Sequence, residues 1–244
     1  FCLILGCTIN PNRVQNLERK SPLIRLEDYK ISLNKWLQNK ATDKIVIVEN
    51  SGYDLSELKK IANEFKDFKK VEFLSTDTNN SFSPELGKGY GESLILKEAV
   101  NNSQLLKESH CFIHISGRYY IKNFENFLND FIFSKADIFL NLSDNLKYCS
   151  ANIYAGNKDF LIKYLIPESE KVNDSKNYFF ENCVAKAALK GIIDNFKFEI
   201  PETYPIIEGI IGTNNKKYNF NFFKKNKLKF FGKLKKFIFK TKKY

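Results

Sequence analysis

Methionine is absent from the 244 residues, tryptophan occurs once and histidine twice. Without a methionine the initiator is missing, so a short segment ahead of Phe1 is expected. The five cysteines (Cys2, Cys7, Cys111, Cys149, Cys183) are odd in number and scattered, with no CxxC pair, and His110 and His114 are the two histidines. That argues against a disulfide framework and against a structural zinc site. A reducing compartment, the cytoplasm, fits such usage. No apolar run approaches the roughly 18 residues that a spanning helix needs. The opening FCLILGC is too short for a signal-peptide core and lacks basic residues before it and a cleavage site after it, so it reads as a buried first strand.

Arginine is almost as scarce, with four residues beside thirty-five lysines. Lysine, asparagine, isoleucine and phenylalanine abound, the pattern of an AT-rich coding background in which lysine is the default cation. An arginine that persists there marks a place where a planar, permanently charged fork is wanted, since it grips carboxylate or phosphate at two points where lysine offers one mobile charge. Arg118, in HISGRYY (His114 to Tyr120), is therefore a candidate oxyanion ligand, with a surface salt bridge as the bland alternative.

What is present is the composition of a globular chain, 43% hydrophobic and 15% aromatic, long enough for one domain plus an appendage. The net charge of +11 is uneven. Twelve of the 39 basic residues and no acidic one lie from Lys216 to Tyr244, which leaves 27 basic against 28 acidic residues elsewhere. In that tail Leu228, Phe231, Leu234, Phe237 and Ile238 recur at helical spacing among lysines, the pattern of a basic amphipathic helix. Lys227, Phe231, Lys235 and Phe237 are its candidate membrane-binding residues, with lysines over anionic headgroups and aromatics in the acyl boundary. A solvated tail and a nucleic-acid partner are the competing readings. The body shows no basic patch and no nucleic-acid motif, so nucleic acid is not the expected partner.

Strand-like and helix-like segments alternate along the body. Strands are predicted at Leu3 to Cys7, Lys44 to Glu49, Val71 to Ser75 and from Cys111, with further strands in ADIFLNLS and around Asn152 to Ala155. Helices are predicted over about Leu23 to Gln38, Leu55 to Phe65, Glu92 to Asn101, Lys158 to Leu165 and Tyr178 to Lys190, followed by a loop through Pro205 to Gly212. This order calls for an α/β fold with a mostly parallel sheet covered on both faces. The composition break sets the domains at 1–215 and a tail at 216–244.

Polar clusters fall at the carboxyl ends of the strands, where open α/β sheets bind ligands. These are Thr8 and Asn10 after the first strand, Glu49, Asn50, Ser51 and Asp54 after the second, and Ser116, Gly117 and Arg118 after the fourth. LGKGYGES (Leu86 to Ser93) could bring Lys88, Gly89, Gly91 and Glu92 to a phosphate, although it is neither a Walker loop nor the dinucleotide fingerprint.

This order of parts resembles the nucleotide-sugar half of GT-A (Rossmann-like) glycosyltransferases, and more narrowly the bacterial surface-polysaccharide group, over roughly Leu3 to Leu189. The resemblance implies that ENSGYD holds the nucleotide base, that GKGYGESLILKEA is the helix preceding the metal-binding strand end, and that HISGRYY stands where a DxD would be. With no DxD evident, no metal cofactor is expected, although Asp77, Asp137 and Asp144 remain possible ligands. Arg118, helped by Lys88 or Lys122, would then stabilise the leaving phosphate. Glu181, in NYFFENCVAKAAL, sits at or just before a helix, where related families often place their catalytic carboxylate, and is the first candidate for general base, with Asp174 and Glu92 second and a helix-start capping charge as the bland alternative for each. The implied activity is an inverting transfer from a nucleotide-sugar donor to a glycan or lipid-linked glycan in capsule or lipopolysaccharide synthesis, on the cytoplasmic face of the membrane. One rival, a sugar-phosphate nucleotidyltransferase, would need a glycine-rich loop that CTINPN lacks. Another is a non-catalytic module acting through the lysine tail.

Overall fold

The computed structural model describes residues 1–11, 17–143 and 145–218. Four strands, β1 (Cys2–Cys7), β2 (Lys44–Glu49), β3 (Lys70–Ser75) and β4 (Cys111–Ser116), alternate with α1 (Pro22–Gln38), α2 (Ser56–Asn63), α3 (Gly87–Asn102) and the short α4 (Gln104–Lys107). The chain continues through β5 (Tyr120–Ile121), α5 (Phe124–Ser134), β6 (Ile138–Phe139), β7 (Ile153–Asn157), α6 (Lys158–Phe160), α7 (Ile166–Ser169), α8 (Phe180–Ile193), β8 (Phe198–Glu199) and β9 (Ile207–Glu208). Among the described residues seven strands form one sheet in the order β3-β2-β1-β4-β7-β6-β8. β1 pairs in parallel with β2 and β4, and β2 with β3. β7 alone runs antiparallel to its neighbours β4 and β6. β5 and β9 make a separate antiparallel ribbon. The architecture is the GT-A-like α/β sandwich expected, with helices on both faces of a mostly parallel sheet.

The unbroken apolar character of β1 follows from burial on both faces, since all six residues of CLILGC are buried. Leu3, Leu5 and Cys7 pack toward Leu26, Tyr29, Leu33 and Trp36 of α1 and the phenylalanines of α5. Cys2 and Ile4 face the opposite way, toward Ile95, Leu96 and Ala99 of α3 and Cys183, Val184 and Ala187 of α8. Each fully buried large side chain contributes about 1.5–3 kcal/mol, so these two layers fix α1 and α3 firmly against the sheet. α1 does more than pack. Ser32 Oγ and Trp36 Nε1 each donate to the carbonyl of Tyr119 at 2.9 Å, which ties the turn after β4 to the helix. The Trp36 ring meets Tyr120 and Phe124 edge-on at 4.8 and 4.9 Å.

Several elements differ from expectation. α3 starts at Gly87, so the glycine-rich stretch forms the first turns of the helix rather than a loop before it. Gly87 has φ +79°, and a Cβ there would fall 1.9 Å from Asp174 Oδ2, while a Cβ at Gly89 would lie 2.9 Å from that of Phe180. The glycines thus allow α3 to close on the segment leading into α8. α5 is not predicted from the sequence: the four phenylalanines, one isoleucine, two asparagines, aspartate and serine of FENFLNDFIFS all have modest helix propensity, and its amphipathic face against the core decides its conformation. In ADIFLNLS only Ile138 and Phe139 form a strand, and the predicted helix at 158–165 has π-helical geometry over Leu161–Leu165. The body continues past residue 215, because Ile211 N donates to Lys216 O at 2.8 Å and Tyr218 N to Gly209 O at 3.2 Å. Lys227, Phe231, Lys235 and Phe237 lie outside the described residues. No described helix is long and apolar enough to cross a membrane.

Candidate functional site

Strand order reverses between β1, which leads outward to β2 and β3, and β4, which leads to β7. Beyond the carboxyl ends of such a pair an α/β sheet leaves a crevice. A cleft opens there, lined among others by Thr8, Arg25, Lys88, Glu92, Arg118 and Glu181. Gly89, Gly91 and Ser116 also face it. Residues from β1, α1, α3, β4 and α8 therefore meet at one point, although they span most of the chain.

The loops after β1 and β2 are held by side chains that the sequence offered as ligands. Glu49 is fully buried; its Oε1 accepts from Ile9 N at 3.0 Å and from the Ser51 hydroxyl, and its Oε2 from Ser51 N and Tyr53 N at 3.0 and 3.1 Å. Burial pushes this carboxyl up and the four donors pull against that. Asn50 takes the Thr8 hydroxyl at 2.7 Å and donates to Gly91 O at 3.1 Å, which joins β1, β2 and α3. Asn10 N donates to Ser51 Oγ at 2.9 Å. Gly117 is packed too closely for any side chain, with Cys7 Sγ 2.7 Å from a Cβ built there. Asn10, Glu49, Asn50, Ser51 and Gly117 shape the loops around the cleft without lining it, whereas Thr8 and Gly91 do both. Asp54 is elsewhere: it accepts from the backbone and hydroxyl of Ser56 at the start of α2, which holds its carboxyl below the usual range. Lys122 is also outside, because the β5–β9 ribbon turns it toward Glu208 at 3.7 Å, where Lys35 already pairs at 2.6 Å.

Arg118 is in the cleft wall, 9% exposed. Its Nη1 donates to Ile210 O at 3.0 Å, its guanidinium lies over the Tyr119 ring with Cζ 5.5 Å from the centroid, and its buried Nε has no hydrogen-bond partner among the described residues. The side chain that sequence reasoning passed over is Arg25, 4% exposed and lining the same wall. It reaches from α1 beneath the β1 loop, donating from Nε to Thr8 O at 2.7 Å and from Nη2 to the Tyr29 hydroxyl at 3.3 Å. The scarcity of arginine was the signal that could have found it.

Glu181 sits in the first turn of α8 and lines the cleft together with Lys88 and Arg118. Tyr148 flanks it, and its hydroxyl is pushed up to about 12 by burial and by the Glu181 carboxylate, so it stays protonated beside that group. Asp174, the second candidate, lies behind Lys88; burial raises its carboxyl and the Lys88 charge opposes the shift. Glu92 Oε1 is 2.8 Å from Nε2 of His114, which is 1% exposed and stacks near Tyr154 at 5.0 Å between ring centroids. The contact is close, but it is not aligned as a ring N–H hydrogen bond, and neither ring nitrogen has a hydrogen-bond partner among the described residues. His114 is thus a core histidine with one neighbour, Glu92, in the cleft wall.

Of the carboxylates considered as metal ligands, Asp137 accepts from Asn157 Nδ2 and Lys197 N at the far edge of the sheet, and Asp77 takes the Asn80 side chain. Asp144 lies outside the described residues. No group of three or more His, Cys, Asp or Glu that could hold a metal ion occurs among the described residues. All five cysteines are free, and burial raises every thiol, Cys183 to about 11, so none is poised as a nucleophile.

No protein-family profile matches the sequence, and no curated protein does. Among solved structures the chain is similar to a nucleoside-diphosphate-sugar pyrophosphorylase from Vibrio cholerae, at TM-score 0.50 and 10% identity over 82% of this chain and 91% of that one. It also aligns with HddC from Yersinia pseudotuberculosis at TM-score 0.42 and 13% identity, over 86% of this chain and 93% of that one. The bifunctional glycosyltransferase WbbM aligns at TM-score 0.47 and 14% identity, over 96% of this chain and 44% of that one. The Vibrio cholerae likeness shows a shared fold.

Proposed function

We propose that the chain is an inverting glycosyltransferase that moves a sugar from a nucleotide-sugar donor to a glycan or lipid-linked glycan acceptor in bacterial surface-polysaccharide synthesis. The observation that carries this reading is the meeting of the Glu181 carboxylate with Lys88 and Arg118 in a cleft at the reversal point of a GT-A-like sheet. Glu181 takes the proton of the acceptor hydroxyl as its oxygen attacks the anomeric carbon. Arg118 and Lys88 meet the negative charge that grows on the departing diphosphate, the work a metal held by a DxD would otherwise do. The buried Glu49 and Asn50 support the reaction indirectly, by holding the loops that shape the donor end of the cleft. A nucleotidyltransferase would want a glycine-rich phosphate loop after β1, and Thr8-Ile9-Asn10-Pro11 supplies none. The lysine-rich tail supports a place at the inner face of the cell membrane, where a lipid-linked acceptor diffuses.

The test is thermal stabilisation by a panel of nucleoside diphosphates and nucleotide sugars, in EDTA and again with manganese, followed by product analysis with the responding donor. Saturation at 100 times the dissociation constant adds about 2.7 kcal/mol of stability. Transfer in EDTA that is lost in Glu181→Gln supports the reading. Absence of a shift with every nucleotide under both conditions overturns it.

A further inference from the structure

Two of the three described arginines converge on one tyrosine. Arg25 donates to the Tyr29 hydroxyl, and the Arg118 guanidinium faces the same group. Both side chains are at least nine-tenths buried and both line the cleft. Such closeness is unfavourable by itself. Two like charges in a poorly solvated wall repel, and each would ordinarily bring a carboxylate with it. Neither guanidinium has one: the described partners of Arg25 are Thr8 O, Arg19 O and the Tyr29 hydroxyl, and that of Arg118 is Ile210 O, with Tyr29 and Tyr119 alongside. Asp28 of α1 acts on both through space, but its carboxylate is bonded to Arg19, at 2.5 and 2.7 Å. Arg25 is also the fourth residue of α1, whose first turn holds no acidic residue. A cation there meets the positive end of the helix dipole, where an anion is favoured. Each guanidinium carries five N–H donors, so several remain for a ligand, and the orphaned Nε of Arg118 is one of them. The two carboxylates in the described lining of the cleft, Glu92 and Glu181, belong to α3 and α8 and bond to neither arginine.

We propose that Arg25 and Arg118 form a paired-guanidinium seat for a diphosphate group that binds without a divalent metal. Two forks side by side match two linked phosphates better than one, because each phosphoryl can be gripped at two points. The inference deepens the proposed function and rests on it for the origin of the diphosphate, which a nucleotide or a lipid-linked sugar could equally carry. Tyr29 keeps the seat in place: its hydroxyl accepts from Thr8 N at 2.8 Å while bridging the two arginines, and burial holds it protonated.

The experiment is titration calorimetry of the full chain in EDTA with inorganic pyrophosphate, orthophosphate, a set of nucleoside diphosphates, and geranyl diphosphate. Pyrophosphate is expected to bind at least tenfold more tightly than orthophosphate, and to lose about tenfold or more in each of Arg25→Lys and Arg118→Lys, while Arg19→Lys leaves it within twofold. If Arg25→Lys is too unstable to titrate, Arg118→Lys and the wild-type comparison still decide. No pyrophosphate binding in EDTA, equal binding of the two inorganic anions, or an unchanged affinity in Arg118→Lys each overturns the pair. Tighter binding of nucleoside diphosphates than of geranyl diphosphate assigns the diphosphate to the donor, and the reverse order assigns it to a lipid. Pyrophosphate binding with no response to any nucleotide would remove the nucleotide-sugar reading and leave the arginine pair standing. Nucleotide-sugar binding indifferent to both arginines would do the opposite.

Discussion

Replacing Gly87 with alanine should be costly for two separable reasons. The residue has φ +79° and ψ −177°, a region that is essentially glycine's own. Alanine there costs about 1–3 kcal/mol in backbone strain. The added methyl would also fall 1.9 Å from Asp174 Oδ2 and 2.5 Å from its Cβ, so the side chain must leave its place, which adds about 1–3 kcal/mol of overpacking. The sum, about 2–6 kcal/mol, is a large part of the 5–15 kcal/mol by which domains are ordinarily stable. At about 2–4 °C per kcal/mol for a chain of this size, the melting temperature should fall by roughly 4–24 °C. Urea unfolding can be followed by the fluorescence of Trp36, the sole tryptophan, with the slope checked so that the midpoint reports stability alone. Adding Asp174→Gly removes the clash, Cβ included, and leaves the strain at position 87, so the double variant should recover about 1–3 kcal/mol relative to the sum of the singles. Gly87→Ala within 0.5 kcal/mol of wild type, or a double variant that recovers nothing, would refute the claim that these glycines exist to let α3 close against Asp174.

Glu181→Gln should lower transfer by about 10²–10⁴-fold, the usual worth of a general base, with a melting temperature within a few degrees of wild type; preserved turnover in a steady-state assay would remove it from that role. Glu168, 1% exposed in its side chain and met by Lys171, Lys186 and Lys190, has its carboxyl held below the usual range: burial raises it and the lysines more than offset that. Its contribution is therefore complete above the unfolded glutamate value and is lost as pH falls through the lower folded value, so Glu168→Gln should flatten the acid limb of a stability-versus-pH curve and wild type should not. Deleting residues 219–244 should abolish binding to anionic vesicles in a flotation assay while leaving nucleotide-induced stabilisation of the body intact; loss of both would tie the tail to the cleft instead.

What the sequence disclosed followed from periodicity. Continuous apolar runs marked β1, β2 and β4 because both faces of those strands are covered, and Leu26, Tyr29, Leu33 and Trp36 marked α1 because one face of a helix is. Strand ends then located the cleft, since β1 and β4 had to lie side by side. Periodicity says nothing about where a long side chain ends, and this is why Arg25 was passed over: its backbone belongs to an ordinary helix, while its guanidinium lies under a loop seventeen residues earlier. The same gap explains Glu49, whose acceptors are consumed by the turn it sits in, and Lys122, which a two-residue ribbon turns outward. Two-residue strands such as β5, β8 and β9 carry no periodic signal at all.

The central position of β1 bears on how the chain folds. Leu3 pairs with Ile45 on one side and Ile113 on the other, loops of 42 and 110 residues. Closing the longer one costs about 0.9 kcal/mol more in chain entropy, so the β1–β2 half is favoured to form first and to wait for β4. Arg25 and Arg118 belong to opposite sides of that delay, and the repulsion between them is felt only when β4 docks. A diphosphate held by the proposed pair would offset that repulsion in the finished fold, so its stabilising effect would fall on the docking of β4 and not on the β1–β2 half.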